Sequence, residues 1–190
     1  MELNNKYYLL RHGHTNHHVK RPEFTYPRPD SPKVRLTKIG QAQIKTAVRK
    51  LRKSGVDLIY SSDFHRAKQT AKIAERALGA KLFFDKRLRD LNIGIYHGRK
   101  REEFHRDFPK GSKNRFFKAP PEGESWFDCQ KRMLSLLKEV DRKDKGKVIL
   151  IVSHGDPLWL LEGGVKNFTQ AEMLKYKETD YMDFGELKKL

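Results

Sequence analysis

Two His-Gly pairs follow short apolar runs in this 190-residue chain. Leu9-Leu10 leads into Arg11-His12-Gly13, and Ile151-Val152 leads into Ser153-His154-Gly155. A third apolar run ends in Ser61-Ser62, with Arg66 close behind. Two arginines and two imidazoles that meet would suit phosphoryl transfer. The transition state spreads negative charge over three equatorial oxygens, and arginine forks hold such oxygens in bidentate geometry. A neutral imidazole can attack phosphorus, after which water hydrolyses the phosphohistidine. The leaving alkoxide needs a proton, so a carboxylic acid should stand nearby.

The elements needed to bring these groups together are legible in the spacing. Tyr7-Tyr8-Leu9-Leu10, Asp57-Leu58-Ile59-Tyr60, Lys81-Leu82-Phe83-Phe84 and Val148-Ile149-Leu150-Ile151-Val152 read as strands. The last is apolar throughout, as a strand buried on both faces of a parallel sheet should be. A helix is predicted over 38–53, with Thr37 as its N-cap and Ile44, Ala47, Val48 and Leu51 on one stripe. A second is predicted over 63–78, capped by Ser62. Trp126, Cys129, Met133, Leu136, Leu137 and Val140 mark a third. Asp156-Pro157 reads as an N-cap followed by proline at the first helical position, and 181–187 as a final strand. Residues 16–35, with Pro22, Pro27, Pro29 and Pro32, read as a long loop. Strand alternating with helix predicts one domain over 1–190: a three-layer α/β/α sandwich around a mainly parallel sheet. Ligand sites in such sheets lie beyond the carboxyl ends of the strands, so His12 and His154 should share one edge.

Composition narrows the functional classes. The single cysteine, Cys129, allows no intrachain disulfide and no zinc spacing, which points to a reducing cytoplasm. No apolar run approaches the ~18 residues of a membrane span. The net charge of +17 points to an anionic partner. Residues 99–118 carry eight Lys/Arg against three acids, with Phe104, Phe108, Phe116 and Phe117 among them. Interleaved aromatics and cations suit single-stranded nucleic acid, but the segment reads better as a cover whose phenylalanines pack inward.

Leu9-Leu10-Arg11-His12-Gly13-His14-Thr15, Leu36-Thr37-x-x-Gly40-Gln41-Ala42, Ser61-Ser62-x-x-x-Arg66-Ala67-x-Gln69-Thr70-Ala71 and Ser153-His154-Gly155 together resemble the histidine phosphatase superfamily, the phosphoglycerate-mutase-like group. The blocks occur in the family's order and cover nearly the whole chain. The resemblance implies His12 as nucleophile, with Arg11, Arg66 and His154 binding the phosphoryl group and no metal or other cofactor. It implies Asp90 as the acid, within Arg87-Leu88-Arg89-Asp90, where most relatives carry glutamate. Aspartate is shorter by roughly 1.5 Å. His14 and His18 stand where relatives often have Glu and Asn, so His18 is a candidate substrate contact. Glu124, in Pro121-Glu122-Gly123-Glu124-Ser125, either contacts substrate or caps the helix that follows.

These readings lead to a phosphomonoesterase acting on a small phosphorylated substrate. Three alternatives stand beside it: a protein phosphohistidine phosphatase, which needs less acid help; a phosphoglycerate mutase; and a catalytically weak phosphate- or RNA-binding module. His12, His14, His17 and His18 also suggest a transition metal, but no carboxylate or thiolate accompanies them at ligand spacing.

Overall fold

The computed structural model describes residues 1–190. Strand β1 (Lys6–Arg11) is followed by a short helix α1 (Asn16–Lys20), helix α2 (Lys38–Arg49) and strand β2 (Leu58–Ser61). Helix α3 (His65–Leu78) and strand β3 (Lys81–Phe84) come next. Two 3-10 turns (Lys86–Leu88 and Gly94–Tyr96), helix α4 (Arg101–Asp107) and a third 3-10 turn (Lys113–Phe116) lead to helix α5 (Trp126–Lys143). Strand β4 (Val148–Ser153), helices α6 (Gly155–Val165) and α7 (Gln170–Asp180), and strand β5 (Leu187–Lys189) complete the chain. The sheet order is β3-β2-β4-β1-β5, parallel except for β5, which runs antiparallel to β1. No helix is long and apolar enough to cross a membrane.

Alternation along the central strands divides the core in two. Tyr7, Leu9, Ile149 and Ile151 face one side, against Trp126, Met133, Leu158 and Trp159 of α5 and α6. Leu10, Leu150 and Val152 face the other, against Ile44, Val48, Ala67 and Ala71 of α2 and α3. Successive side chains of a strand point to opposite faces, so a strand covered on both sides must be apolar at every position. This is the three-layer sandwich expected from the sequence.

Register levels the strand ends. Arg11 pairs with Ser153, and Ser61 with Val152. His12 then donates its backbone N–H to the Ser153 carbonyl at 3.0 Å, and Ser62 donates to the Val152 carbonyl at 3.0 Å. The three motif-bearing ends therefore emerge side by side.

Several boundaries differ from the sequence reading. The 38–53 helix ends at Arg49, where Lys50 and Leu51 tighten onto the Ala47 and Val48 carbonyls. The 63–78 helix starts at His65, and Ser62 is not its cap; the Asp30 carboxylate accepts the His65 N–H instead, at 2.6 Å. Asp156 and Pro157 lie inside α6, whose N-cap position is His154. Asp156 has other partners, Lys177 and Tyr181. The 16–35 loop contains α1. Helix α7 lies where the sequence showed no clear stripe, and the final strand begins only at Leu187. Residues 181–186 instead turn back over the strand ends. In the 99–118 cover, Phe104, Phe108 and Phe116 do pack inward, whereas Phe117 is 68% exposed.

Candidate active site

His12 is held in one orientation by backbone. Its Nδ1 stands 2.9 Å from the Gly13 carbonyl, which can only accept, so the proton sits on Nδ1 and the lone pair on Nε2. The ring is 2% exposed. Burial, then the nearby charges of Arg66 and Arg11, push its pKa well below the usual imidazole range and keep it neutral. The turn that presents it depends on close backbone contact between two motifs. A Cβ on Gly13 would stand 2.6 Å from the Gly40 carbonyl oxygen, and one on Gly40 would collide with the His14 carbonyl. The Leu36-Thr37-x-x-Gly40 block is thereby explained: Thr37 caps α2 by accepting the Gly40 N–H at 3.0 Å, and Gly40 lets the helix abut the His12 turn.

Arg66 is the hub of the site. It is 1% exposed, yet three of its N–H groups have partners. Nε donates to His12 Nε2 at 3.3 Å, Nη2 to Asp90 Oδ2 at 2.8 Å and Nη1 to Asp30 Oδ1 at 3.4 Å. The Tyr26 ring covers its guanidinium at 3.9 Å, a cation–π contact. Tyr26 and Asp30 come from the 16–35 loop and were not singled out in the sequence. Their only signal there was an unusually long loop next to the motif.

His154 lies across from the His12 ring, with centroids 5.1 Å apart. Its Nε2 meets Ser62 Oγ at 2.9 Å. Ser62 Oγ already accepts the Phe64 N–H at 3.2 Å, so its own proton can go to His154 Nε2. His154 then carries its N–H on Nδ1, which is buried, has no hydrogen-bond partner and stands 3.7 Å from Asp90 Oδ2. Burial, with the charges of Arg66, Arg132 and Arg11, pushes its pKa well below the usual range. Ser62 is thus a partner of His154, a role the sequence did not suggest.

Asp90 reaches the site despite its shorter side chain. Its carboxylate is 27% exposed, and Oδ1 also accepts the Leu91 N–H at 2.9 Å. Burial raises its pKa, but Arg66, the Leu91 N–H and Arg11 outweigh that and leave it below the ordinary value. Glu124 neither lines the cavity nor caps α5. Ser125 and Asp128 form that cap, and Glu124 binds Arg132 at 2.7 Å and the Asn92 N–H at 2.8 Å. Arg132 in turn donates from Nη1 to the Arg87 carbonyl at 2.5 Å and from Nη2 to the Asp90 carbonyl at 3.3 Å. Glu124 therefore braces the Asp90 loop from behind.

His18 lines the cavity, but both its ring nitrogens are engaged: Nδ1 with Thr15 Oγ1 at 3.0 Å and Nε2 with Tyr26 Oη at 3.1 Å. Burial and its histidine neighbours push its pKa down to about 3. His14 turns Nδ1 to Thr37 Oγ1 and His17 turns Nε2 to the Phe24 carbonyl. The four clustered histidines thus spend ring nitrogens on protein partners instead of on a common point, and no group of three or more His, Cys, Asp or Glu is arranged to hold a metal ion.

A cavity of about 740 Å³ opens beside His12, Arg11 and Asp90. Its far wall is built by the basic cover, including Arg101, Lys110 and Arg115. Arg115 is 7% exposed and packs on the Trp126 ring at 4.2 Å and the Phe104 ring at 5.0 Å. It has no ion pair and no side-chain hydrogen bond within the protein. Lys177, on the same wall, is neutralised by Asp156 at 2.6 Å.

Known proteins resemble this chain in sequence and in fold. The model of the histidine phosphatase superfamily (branch 1) matches residues 7–182. A probable phosphoglycerate mutase, GpmB, from Yersinia pestis is 34% identical over 161 residues, covering 81% of this chain and 71% of that protein. The structure of Bacillus stearothermophilus YhfR superposes with a TM-score of 0.80 at 28% identity, over 97% of this chain and 90% of that one. A mycobacterial glucosyl-3-phosphoglycerate phosphatase solved with VO3 superposes with a TM-score of 0.77 at 25% identity, over 97% and 90%. The strand-end histidines, the arginine between them and the sheet that levels them thus belong to a chain that is a member of the histidine phosphatase superfamily, branch 1.

Proposed function

We propose that the protein is a phosphomonoesterase that works through a phosphohistidine on His12 and needs no added metal. The observation that carries this is the His12 tautomer. Its Nδ1–H is committed to the Gly13 carbonyl, so the nucleophilic lone pair lies on Nε2, against the Arg66 guanidinium. An incoming phosphoryl group takes over the donors of Arg66, Arg11 and His154 Nδ1. Nε2 attacks phosphorus as the P–O bond to the alcohol breaks. The alkoxide takes a proton from the Asp90 carboxyl. Water then attacks the phosphohistidine, gives its proton back to the Asp90 carboxylate and releases phosphate, restoring neutral His12. Asp90 becomes available as acid once substrate oxygens draw Arg66 away from it and it takes up a proton from solvent or from the substrate phosphate monoanion.

The substrate on this reading carries a second anionic group. Arg115 is a buried guanidinium with no ion pair of its own, on the far wall of the cavity that His12 opens into, and the acid that acts on it, Asp156, is already paired with Lys177. A carboxylate or second phosphate there offsets the cost of its burial. Substrate names among the relatives, phosphoglycerate and glucosyl-3-phosphoglycerate, share that feature. The same observation favours a phosphoglycerate mutase as the second reading.

The deciding experiment compares wild type with His12→Ala on an aryl phosphate in metal-free buffer, together with acid-labile phosphoryl labelling of the protein. Wild type should turn over and label; the variant should do neither. Turnover that persists in His12→Ala overturns the mechanism. Isomerisation of 3-phosphoglycerate without release of phosphate makes the protein a mutase.

A further inference from the structure

Arg11 is the one phosphoryl-facing cation whose position is not set by a carboxylate. Its Nε is buried and without a partner, available for a ligand oxygen. Apart from Gly155 at the start of α6, the groups recorded against its guanidinium come from the segment after α7. Arg11 Nη1 donates to the Met182 carbonyl at 2.5 Å. The Phe184 ring covers the guanidinium at 4.0 Å from its centroid, and the Tyr181 ring lies at 5.2 Å. The segment is fastened at both ends. Tyr181 Oη donates to Asp156 Oδ1 at 2.9 Å, and Asp156 is itself neutralised by Lys177. At the other end, Gly185 N–H donates to the His12 carbonyl at 3.2 Å and Arg11 N–H to the Glu186 carbonyl at 3.1 Å, just before β5 pairs Leu187 with Leu10.

We propose that residues 181–184 form a strap that positions Arg11 for the phosphoryl group, and that Phe184 is its key positioning residue. The Phe184 ring also meets His18 at 4.3 Å and His12 at 5.6 Å. One aromatic face therefore orders the cation while its edges wall the nucleophile off from solvent. A guanidinium held this way keeps full charge toward the ligand, because a ring face and a carbonyl oppose it less than a carboxylate does. This separates the two arginines of the site: Arg66 must be released from Asp90 and Asp30, whereas Arg11 is presented ready. Phe184 lies just beyond residue 182, where the family match ends.

The inference rests on the reading of Arg11 as a phosphoryl ligand, and its test keeps the two apart. Orthovanadate affinity and steady-state kinetics on an aryl phosphate are measured for wild type, Phe184→Leu and Phe184→Tyr, with melting temperatures alongside. Losing the aromatic face in Phe184→Leu should raise KM and weaken vanadate roughly tenfold, with kcat changed by no more than about threefold. Phe184→Tyr keeps the face and should match wild type. Wild-type affinity in a folded Phe184→Leu overturns the strap alone. Equal losses in the Leu and Tyr variants also overturn it, since they would reflect packing only. A wild type that neither binds vanadate nor turns over overturns the reading of the site and the strap with it. If Phe184→Leu does not fold, Tyr181→Phe decides: unfastening the strap should raise KM about threefold, and an unchanged KM overturns the proposal.

Discussion

Asp90 Oδ2 accepts a hydrogen bond from Arg66 Nη2 at 2.8 Å, so the candidate acid and the candidate phosphoryl-binding cation neutralise each other in the resting site. The pairing holds Asp90 as a carboxylate, the form that cannot donate a proton. It also keeps Arg66 fully buried without a ligand. Substrate binding and acid activation are thereby linked: oxygens that take Arg66 also release Asp90 from the charge that depresses its pKa.

From this follows a leaving-group test. Asp90→Asn should slow hydrolysis of an alkyl phosphate by about 10²–10⁴-fold, the usual worth of a general acid. An aryl phosphate, whose phenolate leaves without protonation, should lose far less. In wild type, kcat/KM for the alkyl ester should fall as pH rises above the depressed Asp90 pKa, while the aryl ester declines less steeply. Parallel steady-state profiles for the two esters check this, and equal losses in Asp90→Asn would remove it from the acid role.

Stability should fall on acidification for a specific reason. His12 and His154 are buried neutral with pKa values well below the ordinary 6.5, so the unfolded chain binds protons that the folded chain refuses. Their contribution is complete above pH 6.5 and shrinks as pH drops below it, at up to about 1.4 kcal/mol per pH unit for each histidine. His18, at about 3, adds to the same trend. Urea melts between pH 7 and 5 should show the slope, and His154→Asn should flatten it by about one proton's worth.

Arg115 should discriminate among substrates. Arg115→Ala should raise KM about 10- to 100-fold for phosphate esters that carry a carboxylate or second phosphate, on the scale of one charged hydrogen-bonded contact. An aryl phosphate without a second charge should be almost unaffected. Kinetics on a matched pair of esters reads the difference directly.

A fourth prediction concerns the fold. Asp141 of α5 accepts the backbone N–H groups of Asn4 at 3.0 Å and Asn5 at 3.2 Å, and the Tyr7 hydroxyl at 3.1 Å. It ties the entry of β1 to the opposite helix layer. Asp141→Ala leaves buried donors without partners and should cost about 3 kcal/mol or more in chemical denaturation. Because His12 lies at the far end of β1, the folded fraction should keep near-normal kcat.

The local features of the site were readable in the chain. Alternating or continuous apolar runs mark strands, a 3.6-residue stripe marks helices, and both periods are set by backbone geometry alone. The blocks at three strand ends and the helix start behind one of them, carrying Arg11, His12, His154 and Arg66, are thus placed on one edge by the sequence alone, because parallel strands of similar length end together. Asp90 followed from its place in a motif. What depends on contacts across the fold was not readable. Glu124 looked like a pocket or capping residue but binds Arg132, because Ser125 already caps α5. Ser62 looked like a cap but serves His154, because Asp30 arrives from an irregular loop to take that place.

The sequence by itself determined the alternation of strand and helix and the side chains that meet at the strand ends, since these depend on short-range periodicity. Only the tertiary structure decided the charge state and company of those side chains. Arg66 is shared with Asp30 and Asp90, Arg11 is held by a segment 171 residues away, and Arg115 is buried with only Asp156, already paired with Lys177, to oppose its charge. Each of these is a balance of desolvation against partners brought in from distant parts of the chain, and no local pattern encodes it.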